Sequence, residues 1–292
     1  MRIAHGISIA QLRAFVAVVD ERGFGAAAGA LGLTQSAVSH AVGSLEHTVG
    51  ARLLHRNGPI TPTAEGHAMI EHARAALAAT EAIADLAAAH RATPTGVIRL
   101  GAPPTVCQGL LPELVARWNT DFPRVTVRVF EGEDDEVDDW LAGHSIEAAV
   151  LADPRRSTPG TLLTTDEFQV LLPTGHPLAG AEFVRLGDLS GDPLLFSGGS
   201  CERPIQALFR DASIRLRPTH NVRELSTLFA MVRSNMGITI VPSLVRSIID
   251  DRLVLVPLRP THRRRLVLTG PADTPWHPAL AALTESIEPQ QR

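Results

Sequence analysis

Thr34-Gln35-Ser36-Ala37-Val38-Ser39-His40-Ala41-Val42-Gly43-Ser44-Leu45-Glu46 is the stretch that decides how this chain is read. Thr34 is a good helix N-cap, because its hydroxyl can accept from an N–H of the first turn. Val38, Val42 and Leu45 follow at steps of four and three, so they share one face of a helix and point inward. Gln35, Ser36, Ser39, His40 and Gly43 are left on the outer face. A helix whose exposed N-terminal face is short, uncharged and rich in hydrogen-bonding groups suits a major-groove reader. It approaches base edges closely, and its first N–H groups can meet a phosphate. Taken alone, the same face could simply be solvated.

The flanks narrow that choice. Upstream, Ser8-Ile9-Ala10-Gln11 forms a capping box, and Leu12, Phe15, Val16 and Val19 recur at helical spacing, which predicts a helix over residues 8 to 21. Gly23-Phe24-Gly25 breaks it, Ala26 to Leu31 forms a short second helix of small residues, and Gly32-Leu33 turns the chain toward Thr34. Downstream, Arg52 to Arg56 reads as a strand, Asn57-Gly58 as a two-residue hairpin turn, and Ile60-Thr61 as the returning strand. Three helices followed by a hairpin make a winged helix-turn-helix.

The run Leu12, Phe15, Phe24, Ala27-Ala28, Leu31, Thr34-Gln35-Ser36-Ala37-Val38-Ser39, Leu45-Glu46, Gly50, Leu53, Arg56 and Thr63-Ala64-Glu65-Gly66 closely resembles the DNA-binding signature of LysR-type transcriptional regulators. It stays in register over about fifty residues, which is far more specific than a short motif. The resemblance implies that the third helix enters the major groove with Thr34 at its start and Gln35, Ser36, Ser39 and His40 toward the bases. It also places Arg52 and Arg56 near phosphates. The chain departs from the family pattern at Gly23, where Ser is common, at His40 and Gly43, where a basic residue is usual, at Leu54 for Phe, and at Asn57-Gly58-Pro59, where the wing usually carries another base. Weaker phosphate contact is the expectation. Because histidine is the side chain type whose charge changes between pH 8 and 5, the presence of His40 and His55 gives the expectation that DNA affinity rises as the pH falls toward 6.

Net charge agrees with that picture. The chain carries 27 Arg and no Lys against 31 acids, a formal charge of −4, whereas a free-standing nucleic-acid binder is usually basic. Affinity for double-stranded DNA must then come from a few placed contacts, doubled by dimerisation.

Thr63 caps an Ala-rich stretch running to about His90, roughly 40 Å of helix at about 1.5 Å per residue. Met69, Ala76 and Ile83 recur every seven residues, as do Ile70, Leu77 and Ala84, beside Ala73, Thr80 and Ala87. Such a repeat on a helix with nothing else to pack on implies a partner helix, the alternative being packing within the chain. The resemblance implies a homodimer through residues 63–90, and a tetramer beyond it. Pro94 ends the helix, and Thr93 to Gly96 form a hinge.

Beyond the hinge, strand and helix alternate. Val97–Gly101, Val125–Phe130 and Glu147–Leu151 read as strands, and Leu110–Trp118 and Glu136–Leu141 as helices, which argues for a parallel sheet flanked by helices. A second unit opens near Phe168 to Pro173, with a strand at Pro193–Phe196, helices from Cys201 and Glu224, and a strand in Gly237–Pro242. The chain then returns through Leu266–Thr269 to a last helix in Pro278–Ile287. Two α/β subdomains joined by two crossings place a ligand in the cleft between them. Leu111-Pro112, Phe122-Pro123, Glu131-Gly132, Leu141-Ala142-Gly143, His176-Pro177-Leu178 and Met236-Gly237-Ile238 resemble the LysR effector domain, a periplasmic-binding-protein-like fold. The expected division is a DNA-binding domain over 1–66, a linker over 67–94 and an effector domain over 95–292. Within the last, subdomain I takes 95–168 and 269–292, and subdomain II takes 169–268.

The resemblance implies a small-molecule effector lined by Pro104-Thr105, Glu133-Asp134 and Gly199-Ser200-Cys201. Thr105 suits a helix N-terminus able to hold a carboxylate. Glu133 cuts the other way, because an inward acid repels an anion and favours an amine-bearing or polar neutral effector. Glu131 to Asp139 holds seven acids in nine residues and reads as a solvated helix face. Arg263-Arg264-Arg265 reads as surface. Cys201 sits at an expected helix N-terminus beside Arg203, where a thiolate is favoured. With Pro104-Thr105-Val106 and Gly199-Ser200, it looks like the peroxide-sensing members of the family, so thiol redox sensing is the alternative for the sensing step. Arg210 stands about where a resolving thiol would be expected. Only two cysteines, Cys107 and Cys201, occur, too few for a disulfide framework. A solute-binding protein or an enzyme using the cleft is the competing class. The sequence shows no nucleophile elbow, metal motif, phosphate loop, secretory signal or membrane span, so no cofactor or metal is expected and the cytoplasm is the expected location.

Overall fold

A computed structural model describes residues 6–56, 59–89 and 94–287, apart from the side chains of 85–89. The Asn57-Gly58 turn, His90 and Thr93 lie outside those residues. The chain divides into two compact units, one of residues up to 92 with Gly143–Ser145, the other made of the rest.

The first unit opens with α1 (Ile9–Asp20), α2 (Phe24–Leu31) and α3 (Gln35–Val49). Ser8 and Gln11 form the capping box of α1, with the Ser8 N–H donating to Gln11 Oε1 at 2.7 Å and the Gln11 N–H to Ser8 Oγ at 3.3 Å. The second helix starts two residues earlier than the glycines suggest. Phe24 and Gly25 are helical, and the N-cap is Gly23, which has no side chain to cap with. Thr34 caps α3 by accepting from the Ala37 N–H at 3.2 Å, and Gly50 ends it in the left-handed conformation at φ 75°. Val38, Val42 and Leu45 are fully buried with Phe15, Val18 and Leu53.

The wing is a short antiparallel pair, β1 (Leu54–His55) and β2 (Thr61–Pro62), shorter than the run Arg52 to Arg56 implies. It leads at once into α4 (Ala64–Ala89). Thr63 joins the two, its hydroxyl donating to the Arg52 carbonyl at 2.7 Å and accepting from the Gly66 N–H at 3.0 Å. A Cβ on Gly66 would lie 2.1 Å from the Leu53 carbonyl oxygen, so only glycine permits this approach of helix to wing. The seven-residue repeat of α4 does two jobs. Ile70 and Ala73 are buried in the head's own core, with Met69, Ala76 and Leu77 against it, so for the first half the alternative of packing within the chain is the one observed. Ile83, further along, is 67% exposed.

The second unit runs β3 (Gly96–Ala102), α5 (Pro104–Gly109), α6 (Leu111–Asp121), β4 (Val125–Glu131), α7 (Asp134–Ala142), β5 (Ala148–Ala152), β6 (Thr161–Pro173) and β7 (Val184–Arg185). It continues with β8 (Leu194–Ser197), a 3-10 turn at Gly199–Cys201, α8 (Glu202–Asp211), β9 (Pro218–Val222), α9 (Leu225–Arg233) and β10 (Thr239–Pro242). The last elements are β11 (Leu253–Arg259), β12 (Arg263–Thr269) and α10 (Pro278–Glu285). The main sheet has the order β4-β3-β5-β12-β6-β11-β7, with β10 also on β6. It is mixed rather than parallel. Pairs β3–β4 and β3–β5 are parallel, whereas β12 runs antiparallel to both β5 and β6 because the chain returns to the first subdomain there.

The strand β6 is the spine of this unit. Residues 161–167 pair with β12, and 168–173 pair with β10 and β11. Phe168, Val170 and Leu172 face one core with Phe196, Ile205 and Phe209, while Leu171 faces another with Leu195, Leu228 and Phe229. Burial on both faces explains the uninterrupted apolar run. Trp118, Ile98, Leu100, Leu266 and Leu280 fill the core of the first subdomain.

Candidate nucleic-acid interface and effector cleft

Gln35, Ser36 and His40 are exposed on α3, and Ser39 is half-buried. The Ser36 hydroxyl lies 3.0 Å from Thr34 Oγ1, so two of the expected groove residues are held together at the helix start. Arg52, His55 and Arg56 line one concavity of the wing, about 560 Å³, with Pro59, Thr61 and Thr63. Arg56 already has internal work. Its guanidinium donates to Glu46 Oε2 at 2.8 Å and lies 5.5 Å from the centre of the Phe24 ring. Glu46 Oε1 accepts from the N–H groups of Leu53 and Leu54 at 2.9 and 3.3 Å. This carboxylate ties the end of α3 to the wing, a role the sequence reading missed although Glu46 stood in the motif it used.

In the second unit a cavity of about 990 Å³ opens between α7 and the segment from Gly198 to Ala207. Glu133, Asp134 and Ser200, all expected in the cleft, line it, joined by Asn221, Arg223, His262 and Arg264. Pro104, Thr105 and Cys201 are not among the residues lining it. Thr105 is buried, and its hydroxyl accepts from Arg264 Nη2 at 3.0 Å rather than facing a ligand as a donor.

Arg264 corrects the reading of the arginine run as surface. Strand alternation exposes Arg263 and Arg265 and turns Arg264 inward, where it is 3% exposed. Its Nε and Nη2 meet the two carboxylate oxygens of Asp166 at 2.6 and 3.0 Å, and the guanidinium carbon lies 5.8 Å from the Phe168 ring centre. The bidentate pair, placed across two neighbouring strands, satisfies a charge that burial would otherwise penalise heavily. The signal was present in the alternation leading into Leu266.

The acidic run is also only partly a solvated face. Val137 and Leu141 turn into a small core, and the first residues of α7 cross to the other wall. Ser200 donates from both its N–H and its hydroxyl to Glu133 Oε2, at 2.6 and 2.7 Å, and the Asp134 N–H donates to the Ser200 hydroxyl at 3.0 Å. Burial pushes the Asp134 carboxyl up to about 6, against the pull of the Ser200 hydrogen bond and of Arg264.

Burial also sets the chemistry of the two thiols. Cys201 is 4% exposed, and burial pushes it up to about 11 although Arg264 pulls the other way. Arg203, expected beside it as an activating cation, is exposed and pairs with Asp135 at 3.1 Å. Cys107 is half-buried, donates to the Ala102 carbonyl at 3.3 Å, and is pushed up to about 12 by burial and then by Glu131. Neither is poised as a thiolate. The helix-N-terminus argument loses to desolvation.

Among the described residues no group of His, Cys, Asp and Glu is placed to hold a metal, and no helix is long and apolar enough to cross a membrane.

A winged helix-turn-helix followed by a two-subdomain α/β unit with a polar cleft defines a ligand-responsive DNA-binding regulator. Comparison with known proteins makes this specific. Residues 9–67 match the family described as bacterial regulatory helix-turn-helix protein, lysR family, and residues 91–292 match the LysR substrate binding domain. The chain is 30% identical over 82% of its length to an uncharacterized HTH-type transcriptional regulator of Bacillus subtilis, of which it covers 83%. It is 35% identical over 80% of its length to a probable hydrogen peroxide-inducible genes activator of Streptomyces viridosporus, covering 77% of that protein. In fold it is similar to a full-length OxyR variant of Pseudomonas aeruginosa, with a TM-score of 0.80 at 22% identity over 97% of this chain and 95% of that one. Full-length CbnR complexed with its target DNA gives 0.69 at 23% identity, over 96% and 99%. The chain belongs to the LysR family. It is a LysR-type transcriptional regulator with a helix-turn-helix and an effector-binding domain.

Proposed function

We propose that this regulator reads operator DNA through the N-terminal face of α3, with Thr34 fixing the helix start and Gln35, Ser36, Ser39 and His40 toward the bases. Arg52 and His55 of the wing supply backbone contacts, and Arg56 holds the wing in place as much as it meets phosphate. The observation that carries this reading is the in-register head itself, capped at Ser8 and Thr34 and packed on Val38, Val42 and Leu45. The solved DNA complex of CbnR, a structure of the same fold, supports it.

The proposed working form is a homodimer through residues 63–90, assembled further into a tetramer, using the part of α4 beyond the head's core. The proposed division is a head over 1–66, a linker over 67–94 and an effector domain over 95–292. The cleft lined by Glu133, Asp134, Ser200 and Arg264 takes a small effector and biases the geometry of the paired heads by population shift. Its task is binding rather than catalysis, in the cytoplasm. The test is a footprint on DNA upstream of the gene and its divergent neighbour, with and without candidate ligands. Protection across two half-sites supports the reading, and no protection of any site overturns it.

A second reading has one observation in its favour, the similarity to a probable hydrogen peroxide-inducible genes activator. Against it stand the burial of Cys201 and the upward push on both thiols. Peroxide that changes the footprint in the wild type but not in Cys201→Ser would establish thiol sensing.

A further inference from the structure

The wall of the cleft opposite α7 offers the donor set a carboxylate would choose: the N–H of Ser200 and its hydroxyl, side by side. In this chain they are taken. Both donate to one oxygen of Glu133, a residue from the other subdomain, and the hydroxyl's accepting side is filled by the Asp134 N–H. The fit is close enough to fix the neighbouring residue. Gly199 lies at φ 71°, and a Cβ there would fall 2.2 to 2.3 Å from the Glu133 carboxylate.

We infer, on the reading of this cleft as the effector site, that Glu133 is a specificity-determining residue. Its tethered carboxylate fills the anion-accepting end of the cleft and excludes effectors bearing a carboxylate or phosphate there. The chemistry follows from the hydrogen bonds. An incoming anion must strip Glu133 of two charge-assisted bonds and then sit beside the carboxylate it displaced, with Asp134 adjacent. The effector accommodated is one without negative charge. The same contact spans the cleft, because α7 packs through its Val137 and Leu141 on Ile146 and Ala149 while Ser200 is followed by Cys201 in the core of the second subdomain. Closure of this end therefore needs no anion from solution. The Asp135–Arg203 pair repeats the crossing at the surface, where both side chains are more than two-thirds exposed and the pair adds little.

The experiment is hydrogen exchange of the full-length protein, read on peptides containing Ser200, with acetate and benzoate as anion probes. Glu133→Ala should speed exchange at the Ser200 amide about tenfold or more, the scale of a lost hydrogen bond to a charged group. Glu133→Gln, which keeps an accepting oxygen, should retain most of the protection. Gly199→Ala should lose it while leaving the carboxylate in the chain. Acetate or benzoate should restore protection in Glu133→Ala and leave the wild type unchanged. Equal exchange in wild type and Glu133→Ala overturns the inference, as does equal protection of both by the probes. A cleft that takes no effector at all shows itself separately, as a DNA footprint that no small molecule alters.

Discussion

The reading head and the effector cleft are built by opposite means. In the head, the residues proposed to face DNA are uncharged, mostly exposed and within six positions of one another along α3, and the core beneath them repeats at helical spacing. In the cleft, the important groups are charged, inward and far apart in sequence. Arg264 meets Asp166 across 98 residues and Thr105 across 159, and Glu133 meets Ser200 across 67. The head presents a surface made by local pattern, and of the residues proposed to read DNA only Thr34, which caps α3, and Arg56, bonded to Glu46, also hold the fold. The cleft joins recognition and stability in the same side chains.

The sharpest way to break this contrast is Arg264→Met. It leaves Asp166 buried and unpaired, and unfolding in denaturant should show a loss of about 3 to 5 kcal/mol. Replacing both partners by apolar residues should recover most of it. A loss below 1 kcal/mol would show that the pair is dispensable and the cleft no more costly to alter than the head.

Asp134→Asn comes next and acts in the other direction. Because the folded carboxyl is pushed up from 3.8 to about 6, the folded chain holds that proton more tightly than the unfolded one. Its contribution favours folding below about pH 4 and is lost as the pH rises through about 6, where the buried charge costs on the order of 3 kcal/mol. The Asn variant should therefore melt higher than wild type at pH 7.5 and no higher at pH 4.

Within the head, Glu46→Ala frees the Leu53 N–H and releases Arg56. A destabilisation of about 1 to 2 kcal/mol is expected in the melting of the head. Smallest in stability is Gln35→Ala, which should leave the melting temperature unchanged and weaken specific operator binding by about 1 to 3 kcal/mol in a titration at fixed salt. If Gln35→Ala instead unfolds the head, the separation of recognition from stability in this region is wrong. Repeating the titration from pH 8 to 6 on wild type measures what exposed His40 and His55 add. Affinity that stays flat removes them from the interface.

The same contrast explains what could be read from the chain. Helix α1 was legible to within a residue at both ends and α3 at its start, because caps and apolar steps are local signals, and the LysR resemblance rests on them. In the second unit, Thr161–Glu167 lacks the unbroken apolar run of Phe168–Pro173, so the long β6 showed only its second half. The strand β11 and the short helix α5 gave no distinct pattern. The antiparallel return of β12 depends on where the chain comes back, which no window of sequence records. Glu133, Asp134 and Ser200 were named from the sequence, but not that they bond to one another across the cavity. Arg264 was hidden in a run of three arginines, although a strand period already implied that its side chain points the opposite way from its neighbours. At Cys201 the helix N-terminus argued for a thiolate and burial argues against it, because the sequence cannot give the depth of burial.

The close approach at Gly66 has a mechanical consequence. With its backbone against Leu53, Thr63 bonded to both wing and helix, and Ile70 and Ala73 sunk among the residues that support α3, the long helix has no joint where it leaves the head. It works as an axle fixed to its wheel. A turn or tilt of α4 at the head carries the recognition helix with it, so in the proposed dimer a change in the angle between two axles would change which spacing of half-sites the pair grips.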